Sequence, residues 1–173
     1  MRVSDGGIFG IMSGTVKNLN LMDVHMIGIV TMPNGTSNQN GAYIAIFAHK
    51  APQGTFENIN ISIASSPSEY DWGRYGLFVC SGSDGSAATF CNITVHAEGL
   101  KLKNLLGISH NANNVYQNVV IKAADYVAIG YTDDSYTSAG ENVAAKMSAF
   151  PKGVTFETKT ERIRITNTEK VVA

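Results

Sequence analysis

Charge is scarce in this 173-residue chain: Asp, Glu, Lys and Arg make up 16% of it, with 14 acidic and 13 basic side chains and a formal charge of -1. No basic patch supports nucleic-acid binding. Cysteine is nearly absent, and Cys80 and Cys91 allow one disulfide without requiring it, so the redox compartment stays open. No run nears the roughly 18 apolar residues that a membrane-crossing helix needs. The start, MRVSDGGIFG, lacks the apolar core and cleavage site of a signal peptide. There is no P-loop, no GxGxxG after a strand and no HExxH, and neither cofactor nor metal is expected.

Low charge does not make the chain disordered. Hydrophobic residues are 44% of it, with Ile, Val and aromatics plentiful. The length suits one domain, residues 1–173, with a real core. One phrase recurs four times: TVKNLNL (15–21), TFENINI (55–61), TFCNITV (89–95) and VYQNVVI (115–121). It aligns on Asn18, Asn58, Asn92 and Asn118, at intervals of 40, 34 and 26 residues. A glycine-rich or polar run precedes each copy, and a short apolar segment (GIFGIM, YIAIFA, GLFVC, LLGIS) precedes that. Such intervals indicate a solenoid with constant strands and connections of varying length. The units fall near 7–28, 41–66, 74–99 and 102–130, followed by an irregular segment 131–173.

In a straight strand Val16 and Asn18 would share one face and Leu19 and Leu21 the other, so neither face would be cleanly apolar. A bend at Asn18 removes the conflict by turning all three apolar residues inward. Asparagine suits a bend because it tolerates the left-handed backbone region and bonds to nearby groups. Stacked about 4.8 Å apart, the strand spacing, successive asparagines would bond amide to amide as a ladder. Phe56, Phe90 and Tyr116 would stack before the corner, and Ile59, Ile93 and Val119 after it. The fold class expected is all-β, a solenoid of about five coils. In SAGENVAAKMSAF (138–150), Val143, Met147 and Phe150 at i, i+4 and i+7 predict a short helix or a capping element, stopped by Pro151 and Gly153. In 153–170, Val154, Phe156 and Thr158 share one face and Ile163 and Ile165 another, which reads as one or two further strands.

GGIFGIMSGTVKNLNLMDVHMIG, residues 6–28, resembles a GLUG-type repeat, a unit of bacterial surface and secreted proteins. More widely, the asparagine corners and variable loops of about residues 6–130 resemble right-handed parallel β-helices of the pectate-lyase-like type. That group includes lyases, hydrolases, adhesins and phage tail proteins, so the resemblance implies an architecture and leaves the activity open. It implies an extracellular, cell-surface or virion location. The repeat begins at once near Gly7 with no capping element before it. The expectation is a piece of a larger protein, with an upstream domain or a homo-oligomer covering the solenoid ends.

The richest loop is SPSEYDWGRYG (66–76), which holds the single tryptophan. Rings of Tyr70, Trp72 and Tyr75 would stack on the apolar faces of a glycan, while Glu69, Asp71 and Arg74 bond its hydroxyls. The plainer reading is a loop folded over the wall, with Trp72 covering apolar surface. Asp133 and Asp134 offer an alternative acidic site, for acid–base chemistry or calcium. Adjacent strand residues point opposite ways, however, and a solvated turn explains them as well. His25, His49, His96 and His110 fall at strand ends or loop starts and show no metal-ligand spacing. His25 and His96 read as outward residues. Lys50, Arg74 and Lys122 would be bases in a lyase, but no spacing selects them. Cys91 is expected to face outward beside an inward Phe90. Two functions compete: a non-catalytic cell-surface or fibre module that displays loops for glycan or protein binding, and a polysaccharide lyase or glycoside hydrolase of the β-helix type. The short coil count and the few acid–base pairs favour the module.

Overall fold

The computed structural model describes residues 2–3, 7–26, 43–66, 74–80, 87–107, 110–132 and 144–158. Its strands are β1 (Arg2–Val3), β2 (Thr15–Met26), β3 (Tyr43–Ile44), β4 (Thr55–Ser65), β5 (Arg74–Tyr75), β6 (Thr89–Asn104), β7 (Val115–Ala128) and β8 (Val154–Glu157). Six of them form one sheet in the order β1-β2-β4-β6-β7-β8, and β3 and β5 form a second strip. Every strand pairing in both sheets is parallel. The fold is an all-β, solenoid-like stack in which the long strands pair in chain order.

Each long strand carries its asparagine in the left-handed region, with φ of 57° at Asn18, 55° at Asn58, 53° at Asn92 and 54° at Asn118. The corner sets the phase of its neighbours. Val16 lies beside Phe56, Phe56 beside Phe90, and Phe90 beside Tyr116. Leu19, Ile59, Ile93, Val119 and Val154 make a second row. The side-chain amides form a row of their own. Asn58 donates to Asn18 over 3.1 Å, Asn92 to Asn58 over 3.0 Å, and Asn118 to Asn92 over 3.1 Å. The row lies on the exposed surface, so water competes for each bond.

A second wall closes the core. Ile8 donates its backbone N–H to Ile46, Ile46 to Leu77, Leu77 to Leu105, and Leu105 to Ala128. Rings from both walls meet inside: Phe47 stacks on Phe56 at 4.5 Å, Phe56 on Phe90 at 5.3 Å, and Phe90 on Tyr116 at 5.2 Å. Phe56, Phe90, Ile59, Ile93 and Val119 are all at most 1% exposed. Val16, Leu19 and Leu21 in β2, and Val154 and Phe156 in β8, stand in the same rows but are only half-buried. Among the described residues, Val16, Leu19 and Leu21 pair only with β4, and Val154 and Phe156 only with β7, so each has one neighbouring row rather than two.

A fifth corner appears where no asparagine stands. The pairing of Val119 with Val154 sets Gly153 beside Asn118. Gly153 has φ 91°, and a Cβ there would overlap the Tyr116 carbonyl. Glycine alone meets both demands. The helix expected over 138–150 is not formed by its described part, 144–150. Thr132 donates its backbone N–H to Ala145, Met147 donates to Gly130, and Lys146 bridges Tyr131 in antiparallel sense. Backbone groups bonded to a neighbouring segment are lost to a helix. The helical spacing instead serves packing: Met147 and Phe150 lie half-buried against the core, and Phe150 meets Tyr126 and Phe156. The strand expected at 154–158 forms as β8, whereas Ile163 and Ile165 lie outside the described residues.

Two substitutions separate the parts of the corner. Asn92→Gly keeps the left-handed backbone and loses two amide bonds, a cost of about 1 kcal/mol or less for exposed hydrogen bonds. Asn92→Leu adds left-handed strain of about 1–2 kcal/mol. Urea unfolding should rank wild type above the glycine variant and that above the leucine variant; equal stability of the two variants would remove backbone strain from this account. Gly153→Ala should cost on the order of 1–3 kcal/mol in the same assay, against no measurable loss for Lys152→Ala beside it.

Candidate functional site

The outer face of the long sheet is organised by the same register. One row runs Glu57, Cys91, Gln117; the next runs Asn60, Thr94, Val120, Thr155; a third runs Ser62, His96, Lys122, Glu157. Alternation along each strand puts these side chains outward once the flanking apolar residues turn in. In the third row His96 contacts Glu98 at 3.1 Å and Lys122 lies 4.0 Å from Glu157. Glu98, Lys122, Glu157 and Thr158 line an open depression of about 360 Å3. A backbone hydrogen bond, helped by the side chain of His96, holds the Glu98 carboxyl below the ordinary carboxylate value. Further along, Lys101 lies 3.9 Å from Asp125. The Lys122–Glu157 and Lys101–Asp125 pairs are solvated ion pairs, and His96 pairs with Glu98 as a charge only when protonated, an arrangement worth little in stability.

His25 and His96 are outward, half-buried residues, but they stand in different rows, opposite Ser65 and Ser62. His25 Nδ1 is 3.0 Å from Ser65 Oγ, and its Nε2 is 3.6 Å from Asp23. Asp23 sits at φ 56° in a bulge between Leu21 and Val24, which aims its carboxylate at the ring. With Asp23 77% exposed, this is a solvated surface contact. His110 lies in the wall, with its ring 6.0 Å from Tyr116 and its backbone N–H donated to Tyr131. Its Nε2 is buried without a hydrogen-bond partner among the described residues.

Of the loop residues expected to hold a glycan, Glu69, Tyr70, Asp71 and Trp72 lie outside the described residues, as do Asp133 and Asp134. Arg74 opens β5. Tyr75 is in the core at 1% exposure, with the Lys103 ammonium 4.8 Å from its ring centroid. Its partner in the strip is Ile44, also buried, and alternation in β5 turns Tyr75 inward with it. Tyr75 therefore belongs to the wall and offers no open face for stacking. The two cysteines form no disulfide with each other. Cys80 is buried, while Cys91 faces outward and donates its thiol to Gln117 Oε1 over 3.6 Å. Among the described residues no three His, Cys, Asp or Glu side chains group as metal ligands, and no helix is long and apolar enough to cross a membrane.

The row from Ser62 to Glu157 was missed in the sequence, although a signal for it exists. Counting four residues past each corner, from Asn58, Asn92, Asn118 and Gly153, lands on all four members. The fourth is reached only when Gly153 is accepted as a corner. No family model, no curated protein and no solved structure matches this chain.

Burial holds the His110 imidazole below its ordinary value, so the fold takes up the neutral ring. The phenol of Tyr116 beside it, pushed up to about 12 by burial, stays neutral in mild acid, as does that of Tyr131, also raised by burial. A base whose pKa is lower in the folded state contributes stability that is complete above its unfolded value, 6.5, and drains away as pH falls below it. The melting temperature should therefore fall between about pH 7 and pH 5, and His110→Gln should flatten that fall. An unchanged slope in the variant would acquit His110.

Proposed function

We propose that this chain is a non-catalytic parallel β-helix module, right-handed and of about five coils, in which the amide row acts as an asparagine ladder. It serves as a rigid scaffold that presents its connecting loops for glycan or protein binding on a cell surface or virion exterior. One observation carries this reading. The interval between corners shrinks from 40 to 34 to 26 residues, yet the amide bonds stay at 3.0–3.1 Å and the strands stay in register around each corner, shifting only past Leu21 in β2 and past Ala97 in β6. The connections between the long strands absorb the shortening. A wall that keeps its register at the corners, joined by connections that vary, is how scaffolds carry binding loops.

The GLUG-like phrase at 6–28 supports the same assignment to surface or secreted repeat proteins, and with it an extracellular location. The half-exposed apolar residues of β2 and β8 support a neighbouring domain or a second subunit over the ends of the stack. Paired charges along the outer wall favour the module over a lyase or hydrolase. In this reading the glycan contacts of the 66–76 loop come from Glu69, Tyr70, Asp71, Trp72 and Arg74, and Tyr75 anchors the loop to the wall.

Trp72→Ala tests the loop. As a stacking residue its loss should weaken glycan binding by roughly 1–3 kcal/mol and leave thermal stability nearly unchanged. Binding to a glycan array without release of reducing ends or of an unsaturated product is the expected pattern for wild type. Turnover of any polysaccharide, or a Trp72→Ala protein that melts early and binds normally, would overturn this assignment of the loop.

A further inference from the structure

The asparagine row ends at Asn118, and it ends at an opening. Asn118 donates Nδ2 to Asn92, but the residue beside it just before β8, Gly153, has no side chain to donate to its Oδ1. The turn that brings Gly153 in, with Val154 N–H donated to the Pro151 carbonyl, stands beside the turn at 111–114. Between them lies an open depression of about 520 Å3, lined by Asn114, Val115, Gln117, Asn118, Pro151 and Lys152 among others.

Its chemistry is mixed in a particular way. Asn118 Oδ1 is an acceptor. Gln117 Oε1 accepts the Cys91 thiol, which leaves Nε2 as a donor. The exposed ammonium of Lys152 supplies further donors. Asn114 is already committed: its Oδ1 accepts Ala88 N–H over 2.9 Å and its Nδ2 faces Tyr116 Oη at 3.4 Å. It therefore fixes the wall of the depression. Val115, 53% exposed, and half-buried Pro151 give an apolar surface beside these groups. A saccharide ring has the complementary form, with hydroxyls that donate and accept around its rim and C–H groups on its face.

We infer that this depression at the end of the asparagine row is a saccharide-binding site, with Gln117, Asn118 and Lys152 bonding sugar hydroxyls over Val115 and Pro151. The inference rests on the glycan-binding reading above, and it places a second contact region apart from the 66–76 loop. The sugar's hydroxyl takes the position that a fifth asparagine amide would hold, so the ligand completes the row.

The test is binding of the whole chain to an array of immobilised neutral and carboxylate-bearing oligosaccharides, repeated with Gln117→Ala, Lys152→Ala and, as a distant control, Lys17→Ala. Both site residues are exposed, and the variants are expected to melt with wild type. Each should lower affinity for the best array sugar by about tenfold, with Lys17→Ala unchanged. Titration of that sugar into isotope-labelled protein should shift the backbone amides of Val115, Gln117 and Gly153. If the protein binds a sugar and neither variant weakens it, this site is wrong while the glycan reading stands. If wild type binds no sugar on the array, the glycan reading fails and takes the site with it.

Discussion

The structure depends on one backbone conformation repeated at one height. Four asparagines within the long strands and one glycine just before β8 hold φ between 53° and 91°. An ordinary side chain pays about 1–2 kcal/mol to sit there, so the bend stays where these residues are. Its position fixes the phase of everything near it. Residues two before the corner, Phe56, Phe90 and Tyr116, point inward, as do Ile59, Ile93 and Val119 just after it. A slip of one residue would send both rows to solvent. The amide bonds between corners then oppose slippage directly, since each asparagine reaches the one before it only when the strands are in step.

That dependence explains what could be read in advance. The four corners, the aromatic stack and the aliphatic row were legible because each is set by distance from an asparagine a few residues away. The fifth corner was not, because Gly153 meets the same φ requirement with a different residue and makes no amide bond. Residues 144–150 were misread for a related reason. The i, i+4 and i+7 spacing of Val143, Met147 and Phe150 satisfies a helix, but Gly130 and Thr132 claim the backbone groups a helix would need. Tyr75 looked like a loop aromatic until its pairing with Ile44 fixed which way it points. Long-range pairing of this kind leaves no local mark in the sequence.

The same register constrains function. Stacking in step brings like positions into rows, and on the outer wall those rows hold His96 with Glu98, Lys122 with Glu157 and Lys101 with Asp125. Such pairs put charge on the outer face of the sheet, which discourages wrong strand pairing. Recognition is better served where the repeat varies, in the connections whose length changes from unit to unit, or where it stops.

Where it stops is chemically distinct from where it varies. Within the row, Asn58 and Asn92 each give a donor to the asparagine before and an acceptor to the one after. At Asn118 the acceptor remains, because the corner beside it had to be glycine to clear the Tyr116 carbonyl. The steric demand that closes the last pass therefore also opens the row to an outside donor. Gln117 and Lys152 flank that acceptor because one precedes the asparagine corner and the other precedes the glycine corner, the same position on successive passes. The grouping follows from the repeat itself, with no further device needed to assemble it.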